Sequence, residues 1–146
     1  REERGLVYSV ECRATSMSDI GTMDFDVTVR PEKVVEVTRI LLKEITTFAK
    51  EGPTESELAH IKKRYFFDLD SELDDPYKQV VRYAFPHLYS SEMSLQEERE
   101  LIESITAKKM LEVAEKVFEA KNLNLILVGP YTSELKSRLE GLIHQF

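Results

Sequence analysis

The chain has 146 residues, of which 42% are hydrophobic and 32% charged, and 20 Lys and Arg against 27 Asp and Glu give a formal charge of −7. This balance is typical of one globular domain and excludes disordered, collagen-like and repeat proteins. No apolar run approaches the roughly 20 residues of a membrane-spanning helix, and no basic stripe is present. We therefore expect neither a membrane nor a nucleic acid as a partner.

The chain opens Arg1-Glu2-Glu3-Arg4, without an initiator Met or an apolar leader, so we expect a fragment or a processed product. Cys12 is the only cysteine, which excludes a disulfide within the chain and a cluster of metal-bound thiolates. A single thiol is compatible with any redox compartment. The sequence therefore does not indicate where in the cell the protein works.

Residues 6–14 and 20–29 alternate between apolar and polar side chains. This period of two predicts two antiparallel strands, joined by the short polar link 15–19. The apolar positions expected to face the helices are Leu6, Val10, Met23, Phe25 and Val27. The opposite, solvated face is expected to carry Ser9, Glu11, Arg13, Thr22, Asp24, Asp26 and Thr28.

A run of helices is predicted after the two strands. Pro31 suits a first helical position, and Gly52-Pro53 ends the stripe formed by Val34, Val37, Leu41, Ile45 and Phe48. Thr54 with Glu57, and Ser94 with Glu97, form two capping boxes that open further helices. The first of these carries the stripe Leu58, Ile61, Tyr65 and Leu69, and the second is expected to end near Glu103. We also predict a short helix from Pro76 towards His87 and another capped by Thr106, with Met110, Ala114 and Val117 turned inward.

Residues 123–128 are almost entirely apolar, which predicts a third strand inside the sheet. Thr132 or Ser133 then caps a last helix with Leu135, Leu139, Leu142 and Phe146 on one stripe. The order of elements predicts an α+β fold, in which helices pack on one face of an antiparallel sheet. We expect residues 1–146 to form a single, partial domain whose remaining strands lie upstream. The unpaired sheet edge would favour self-association.

The chain contains no Gly-rich phosphate loop, no G-x-S-x-G, no C-x-x-C and neither H-E-x-x-H nor H-x-x-E-H. Glu57 and His60 stand three residues apart on a helix, but a cap and a surface histidine explain them better than a metal site. His87, in an aromatic helix end, is expected to pack or cap. The acids between residues 68 and 75 lack the central Gly of a calcium loop, which favours a solvated face. We therefore expect this chain to bind no cofactor and no zinc.

Arg1 and Tyr8 are the remaining candidates for a functional pair. Gly5 separates a charged, helix-like stub from the first strand, so both side chains can reach one region. A guanidinium and a phenol are good donors to a peptide carbonyl and to the oxyanion formed when that carbonyl is attacked. Alternatively, Tyr8 is an aromatic residue at the rim of the core and Arg1 a frayed terminus. The residues alone leave both interpretations open.

Four motifs in order resemble the pitrilysin (insulinase) family of zinc metallopeptidases, in its second, non-catalytic domain type. Arg1 to Val10 is similar to L-R-E-x-x-G-L-x-Y-S-V, and Glu51 to Leu58 is similar to E-G-x-T-x-x-E-L. Ser104 to Ala107 is similar to the family's S-V-T helix start, and Leu125 to Pro130 is similar to L-V-V-V-G-P. Together these motifs span nearly the whole chain.

The resemblance implies two similar α+β domains that close around a chamber in which peptides are cleaved. One domain would bind zinc through H-x-x-E-H and a distal Glu. The other would supply an Arg and a Tyr seven residues apart that hold the peptide backbone, and Arg1 and Tyr8 match this pair. The implied partners are a homologous zinc-bearing domain, in the same parent chain or another subunit, and a peptide substrate.

Two other functions are compatible with the sequence. The chain could be a scaffold or assembly domain of a family relative that has lost its activity. It could also be an unrelated α+β interaction module that matches the four motifs by chance. An Arg and Tyr pair favours the substrate-binding function, because a scaffold needs neither residue.

Overall fold

The computed structural model describes residues 4–88 and 91–146, and in these ranges it contains six α-helices and one two-stranded antiparallel sheet. The elements are β1 (Ser9–Ser16), β2 (Gly21–Thr28), α1 (Val34–Glu51), α2 (Glu55–Glu72), α3 (Pro76–Leu88), α4 (Leu95–Ser104), α5 (Ala107–Val117) and α6 (Ser133–Ile143), with short 3₁₀ turns at Pro31–Lys33 and Ala120–Asn122. The predicted α+β class is confirmed. None of the described helices combines the length and the apolar character needed to span a membrane.

The chain forms two compact units. One unit consists of the residues up to Glu51 together with Val113–Phe146, and the other is Gly52–Glu112. In the first unit, α1 packs on α6 through a buried cluster formed by Val34, Val35 and Leu139, and Val29, Leu135 and Leu142 pack around this cluster. The second unit contains α2, α3 and α4, with Leu58 and Leu69 of α2 buried.

The two predicted strands pair as a hairpin, with cross-strand pairs running from Ser9 opposite Thr28 to Ser16 opposite Gly21. β1 continues to Ser16, so the first two residues of the predicted link 15–19 belong to the strand. The apolar face of the hairpin contacts the residue that follows α5, since the ring centroid of Phe25 lies 6.1 Å from that of Phe118. The Phe118 ring in turn meets Phe48 of α1 at 6.4 Å. Aromatic contacts at this range add to the area that each ring buries. The prediction that Phe25 lies on the packed face of the hairpin is therefore confirmed.

The predicted burial of the sheet and of α2 is only partly correct. Val10 and Met23 lie on the apolar face of the hairpin but remain 51% and 41% exposed. On α2, Ile61 and Tyr65 are exposed although they share a stripe with the buried Leu58. Spacing alone identifies a face, whereas burial requires another element to pack on that face.

The helix ends follow the predicted caps. Thr54 and Glu57 form a complete capping box at the start of α2, with the Thr54 amide donating to Glu57 Oε2 at 2.8 Å. Ser94 and Glu97 repeat this geometry at α4. Thr132 is the residue that caps α6, where its hydroxyl oxygen accepts a hydrogen bond from the Leu135 amide at 3.2 Å. Local hydrogen bonds of this kind depend on residues three apart, so the sequence alone predicts them.

The predicted third strand at residues 123–128 is wrong for the part of the chain that the structure describes. The segment has no regular secondary structure and is not hydrogen-bonded into the sheet, which contains β1 and β2 alone among the described residues. Ile126 and Val128 are 85% and 92% exposed instead of lying inside the sheet. A strand requires a neighbouring strand, and an apolar sequence does not provide one.

Gly52 ends α1 in the left-handed region, with φ of +68°, and a Cβ there would lie 3.3 Å from Leu111 Cβ. We expect Gly52→Ala to lower the free energy of unfolding by about 1–2 kcal/mol, because alanine is strained in this conformation. Chemical denaturation measures the change. Gly141→Ala is the matched control, since Gly141 lies within α6 with open space around its Cβ position. This control should raise stability by about 0.5–1 kcal/mol, and equal effects at the two sites would contradict the prediction.

Candidate functional site

Tyr8 lies at the start of the hairpin, immediately before β1. The chain reaches it through Gly5, whose positive φ of 56° allows a sharp change of direction. The Tyr8 amide donates to the Thr28 carbonyl oxygen at 2.8 Å, which extends the hairpin by one residue and fixes the backbone. By alternation along the strand, Tyr8 lies on the same face as Val10 and Val27.

The side chain of Tyr8 is 82% exposed. Among the described residues the ring therefore packs against no core, as the substrate-binding interpretation requires. Its hydroxyl makes no hydrogen bond to a described residue, so the phenol can donate to an external acceptor. The predicted partner Arg1 lies outside the described residues. Of the predicted pair, the structure thus describes only Tyr8, whose backbone is fixed by a hydrogen bond and whose hydroxyl is accessible to a ligand.

The opposite face of the hairpin carries the predicted charged residues. Arg13 of β1 stands opposite Asp24, and its guanidinium forms an ion pair with Asp26. A hydrogen bond from Arg13 to Asp26, together with the charge of Asp26 and Glu11, raises the pKa of the guanidinium. Thr22 donates its hydroxyl to Asp24 Oδ2 at 2.9 Å. Three carboxylates thus share one exposed face with one arginine.

Cys12 lies opposite Phe25 on the apolar face of the hairpin. Partial burial raises the pKa of the Cys12 thiol, and the negative charge of Asp24 raises it further. A reactive cysteine needs the reverse, because only the thiolate is a strong nucleophile. Cys12 is therefore not activated for nucleophilic chemistry.

No group of three or more His, Cys, Asp and Glu side chains within residues 4–88 and 91–146 converges on a point where a metal ion could bind. Glu57 is engaged in the capping box, and His60 is exposed on α2. His87 is exposed at the end of α3, and its Nδ1 lies 2.6 Å from Glu92 Oε1, so the ring contacts a side chain and neither packs in a core nor caps the helix as expected. The described donor set therefore does not fit a zinc site.

The acidic residues between positions 68 and 75 are held by local partners. Asp70 pairs with Arg99, Glu72 accepts from Lys78 Nζ at 3.2 Å, and Asp75 accepts from the Tyr77 amide at 2.9 Å. These contacts direct the carboxylates to separate cations and amides. The predicted solvated face is the better description, and a calcium loop is not formed.

A polar cluster in the second unit was not predicted from the sequence. Glu98 of α4 accepts from the Tyr65 hydroxyl of α2 and forms an ion pair with Arg82 of α3. The Arg82 and Glu98 side chains are only 16% and 20% exposed, beside a concavity of about 360 Å³ that Val81 and Met93 also line. Glu98 is 16 positions from Arg82 and 33 positions from Tyr65 in the sequence. No spacing rule predicts contacts between residues on three different helices.

Comparison with known proteins shows which family the sequence resembles. The sequence model of the family described as the peptidase M16 inactive domain matches residues 1–65. A protein of Mycobacterium tuberculosis named as an uncharacterized zinc protease is 26% identical over 146 residues, which cover 98% of this chain and 33% of the relative. A protein of the same description from Streptomyces coelicolor is 26% identical over 144 residues, covering 98% of this chain and 31% of that protein.

These matches confirm the resemblance to the pitrilysin family, which is peptidase family M16, and to its non-catalytic domain type. The chain spans about one third of the length of the curated relatives it matches.

The two capping boxes should make the free energy of unfolding fall at acid pH. Hydrogen bonds from the Thr54 amide and hydroxyl lower the pKa of Glu57, and bonds from the Ser94 hydroxyl and amide lower that of Glu97. A lowered folded-state pKa stabilises the protein above the unfolded pKa, and this stabilisation is lost as pH falls through the folded value. We expect Glu57→Gln with Glu97→Gln to reduce the loss of unfolding free energy between neutral pH and about pH 3.

The measurement is chemical denaturation at each pH. Glu55→Gln is the control, because Glu55 lies in the same first turn of α2 outside the capping box. This variant should keep the acid dependence of the original chain. An unchanged acid dependence in the double variant would contradict the role of the capping boxes.

Proposed function

We propose that this chain, whose residues 1–65 match the M16 inactive domain, is the substrate-binding half of a zinc-dependent metalloendopeptidase. Its partner is a homologous domain that carries the zinc, and its substrate is a peptide held between the two domains. The observation that carries the proposal is Tyr8, an anchored and 82% exposed phenol at the position of the family-like motif. The zinc protease names of the relatives support the same class of activity.

Tyr8 acts as a hydrogen-bond donor in this proposal. Its phenol approaches the carbonyl oxygen of the scissile peptide and donates more strongly as negative charge develops on that oxygen. The backbone bond to Thr28 and the hairpin register fix the main chain at Tyr8, so only the side chain has to be ordered when the peptide binds. Arg1, one short segment upstream, donates to a neighbouring carbonyl of the peptide backbone. Zinc in the partner domain would supply Lewis-acid activation of water and of the carbonyl.

The scaffold function differs from this proposal in one testable respect. A scaffold requires the surfaces that contact other subunits and does not require a free phenol. Burial of Tyr8 would have favoured the scaffold or a core role, whereas an exposed phenol with a fixed backbone favours contact with a ligand.

In the full-length protease, assembled with its zinc-bearing domain, we expect Tyr8→Phe to lower kcat by roughly 100- to 1,000-fold, or about 2.7–4 kcal/mol. KM and thermal stability should change little, because only one exposed hydroxyl is removed. Steady-state kinetics on a peptide substrate and thermal unfolding measure both quantities. Tyr77→Phe is the matched control, since Tyr77 is 76% exposed on α3 and should keep full activity when altered.

Two outcomes would reject the assignment. A fully active Tyr8→Phe protease would show that the hydroxyl has no catalytic role and would favour the scaffold function. Equal losses in Tyr8→Phe and Tyr77→Phe would indicate a general effect of removing surface hydroxyls.

The acidic hairpin face lies opposite the face that carries Tyr8, so we expect it to act on the substrate through the charge that it adds around the peptide and not through contact with the scissile carbonyl. Asp24, Asp26 and Glu11 outnumber Arg13, and the ion pair with Arg13 already neutralises part of the charge of Asp26. We expect kcat/KM to be higher for Lys-rich than for Glu-rich peptides at low salt, with the difference fading as salt increases. Asp24→Asn should reduce the preference more than Thr22→Val, which changes the same face without changing its charge. A preference that is absent, or insensitive to both salt and Asp24→Asn, would contradict the role of this face.

A further inference from the structure

The main chain of Tyr8 is held by a stretch of β2 that is packed at both ends. The Tyr8 amide donates to the Thr28 carbonyl oxygen at 2.8 Å. Thr28 lies between Phe25, which contacts Phe118, and Val29, which packs on the buried cluster of α1 and α6. Phe25 and Val29 lie on one face of the strand, because side chains four residues apart share a face. The carbonyl that holds Tyr8 is therefore supported from both sides.

Phe118 links the hairpin to α1 through two ring contacts. Its ring centroid lies 6.1 Å from that of Phe25, with the planes tilted by 44°. It lies 6.4 Å from that of Phe48, edge to face at 76°. Tilted and edge-to-face rings at such distances are the arrangements that aromatic pairs favour. Phe118 belongs to neither β2 nor α1, so one side chain joins a strand to a helix at this point.

The backbone that carries Phe118 is itself fixed by hydrogen bonds. The Phe118 amide donates to the Ala114 carbonyl oxygen at 2.9 Å, which extends the bonding pattern of α5 by one residue. The side-chain amide of Asn122 donates to the carbonyl oxygens of Lys116 and Val117, each at 3.2 Å. These bonds satisfy carbonyl groups that the end of a helix leaves without partners. The ring of Phe118 thus projects from a well-defined backbone.

We propose that Phe118 is a positioning residue for the Tyr8 hydroxyl. This inference rests on the proposed function, in which that hydroxyl donates to the scissile carbonyl. Phe118 acts through Phe25 and through the Thr28 carbonyl, which lies three residues, or about 10 Å, farther along β2. Loss of the ring frees this part of β2 to shift, and the main chain of Tyr8 shifts with it. A displacement of about 1 Å at the reacting groups can lower the rate roughly 100-fold.

Kinetics in the full-length protease, assembled with its zinc-bearing domain, test this role. We expect Phe118→Leu to lower kcat about tenfold or more with little change in KM, because an interaction of the transition state is misplaced. In a Tyr8→Phe background, the same substitution should have little further effect, since the hydroxyl that it positions is already absent. A ring with a merely structural role would lower kcat by the same factor in both backgrounds.

Phe66→Leu is the matched control. Phe66 is a half-buried aromatic residue of α2 in the second unit, and its ring centroid lies 6.3 Å from that of Tyr65. Its replacement removes a comparable ring contact away from the hairpin unit, so kcat should not change.

Hydrogen exchange followed by mass spectrometry measures the positioning without activity. The peptide that contains the Tyr8 amide should exchange about tenfold faster in Phe118→Leu and at the original rate in Phe66→Leu, because only the first variant loosens the hairpin. Phe25→Leu removes the other ring of the same contact and should reproduce both the faster exchange and the loss of kcat. This second variant decides the question if Phe118→Leu does not fold.

Three outcomes separate this inference from the proposed function. Unchanged exchange at Tyr8 in both Phe118→Leu and Phe25→Leu would overturn the positioning role. An equal loss of kcat with and without the Tyr8 hydroxyl would overturn it as well. A fully active Tyr8→Phe protease would instead reject the proposed function, and the kinetic role of Phe118 with it.

Discussion

The pairing register of β1 and β2 is the interaction on which the candidate site depends. Cross-strand pairing from Ser9 opposite Thr28 to Ser16 opposite Gly21 assigns every side chain of the hairpin to one of two faces. A slip of one residue would exchange these faces and move the acids to the apolar side. The register therefore places Tyr8 at one end of the apolar face and the carboxylates on the other face. It also directs Phe25 towards Phe118.

A two-stranded hairpin is marginally stable in water without other elements packed on it. In the first unit this support comes from Phe118 against Phe25 and Phe48, and from Val29 against the cluster of Val34, Val35 and Leu139. These contacts hold the β2 end of the hairpin, where Thr28 binds the Tyr8 amide. The position of an exposed phenol thus depends on a small buried cluster formed by α1 and α6.

The charges and apolar groups that remain exposed give the hairpin unit its capacity for interaction. Its two faces differ in chemistry, since one carries Tyr8 and Val10 and the other an excess of carboxylates around Arg13. A phenol and an acidic face suit two different ligands, namely a carbonyl and a cation.

The sequence by itself determined the features that depend on neighbouring residues. The alternation of residues 20–29 predicted the sides of β2, and the Thr54-Glu57 and Ser94-Glu97 pairs predicted two capping boxes that the structure confirms. It also presented Tyr8 as a candidate, without choosing between a buried ring and a free phenol. Only the tertiary structure decided that Tyr8 is exposed, that Leu123–Val128 has no neighbouring strand among the described residues, and that Tyr65, Arg82 and Glu98 meet. The physical reason is that caps and strand faces arise from residues a few positions apart, whereas burial and long-range ion pairs depend on which distant elements pack together.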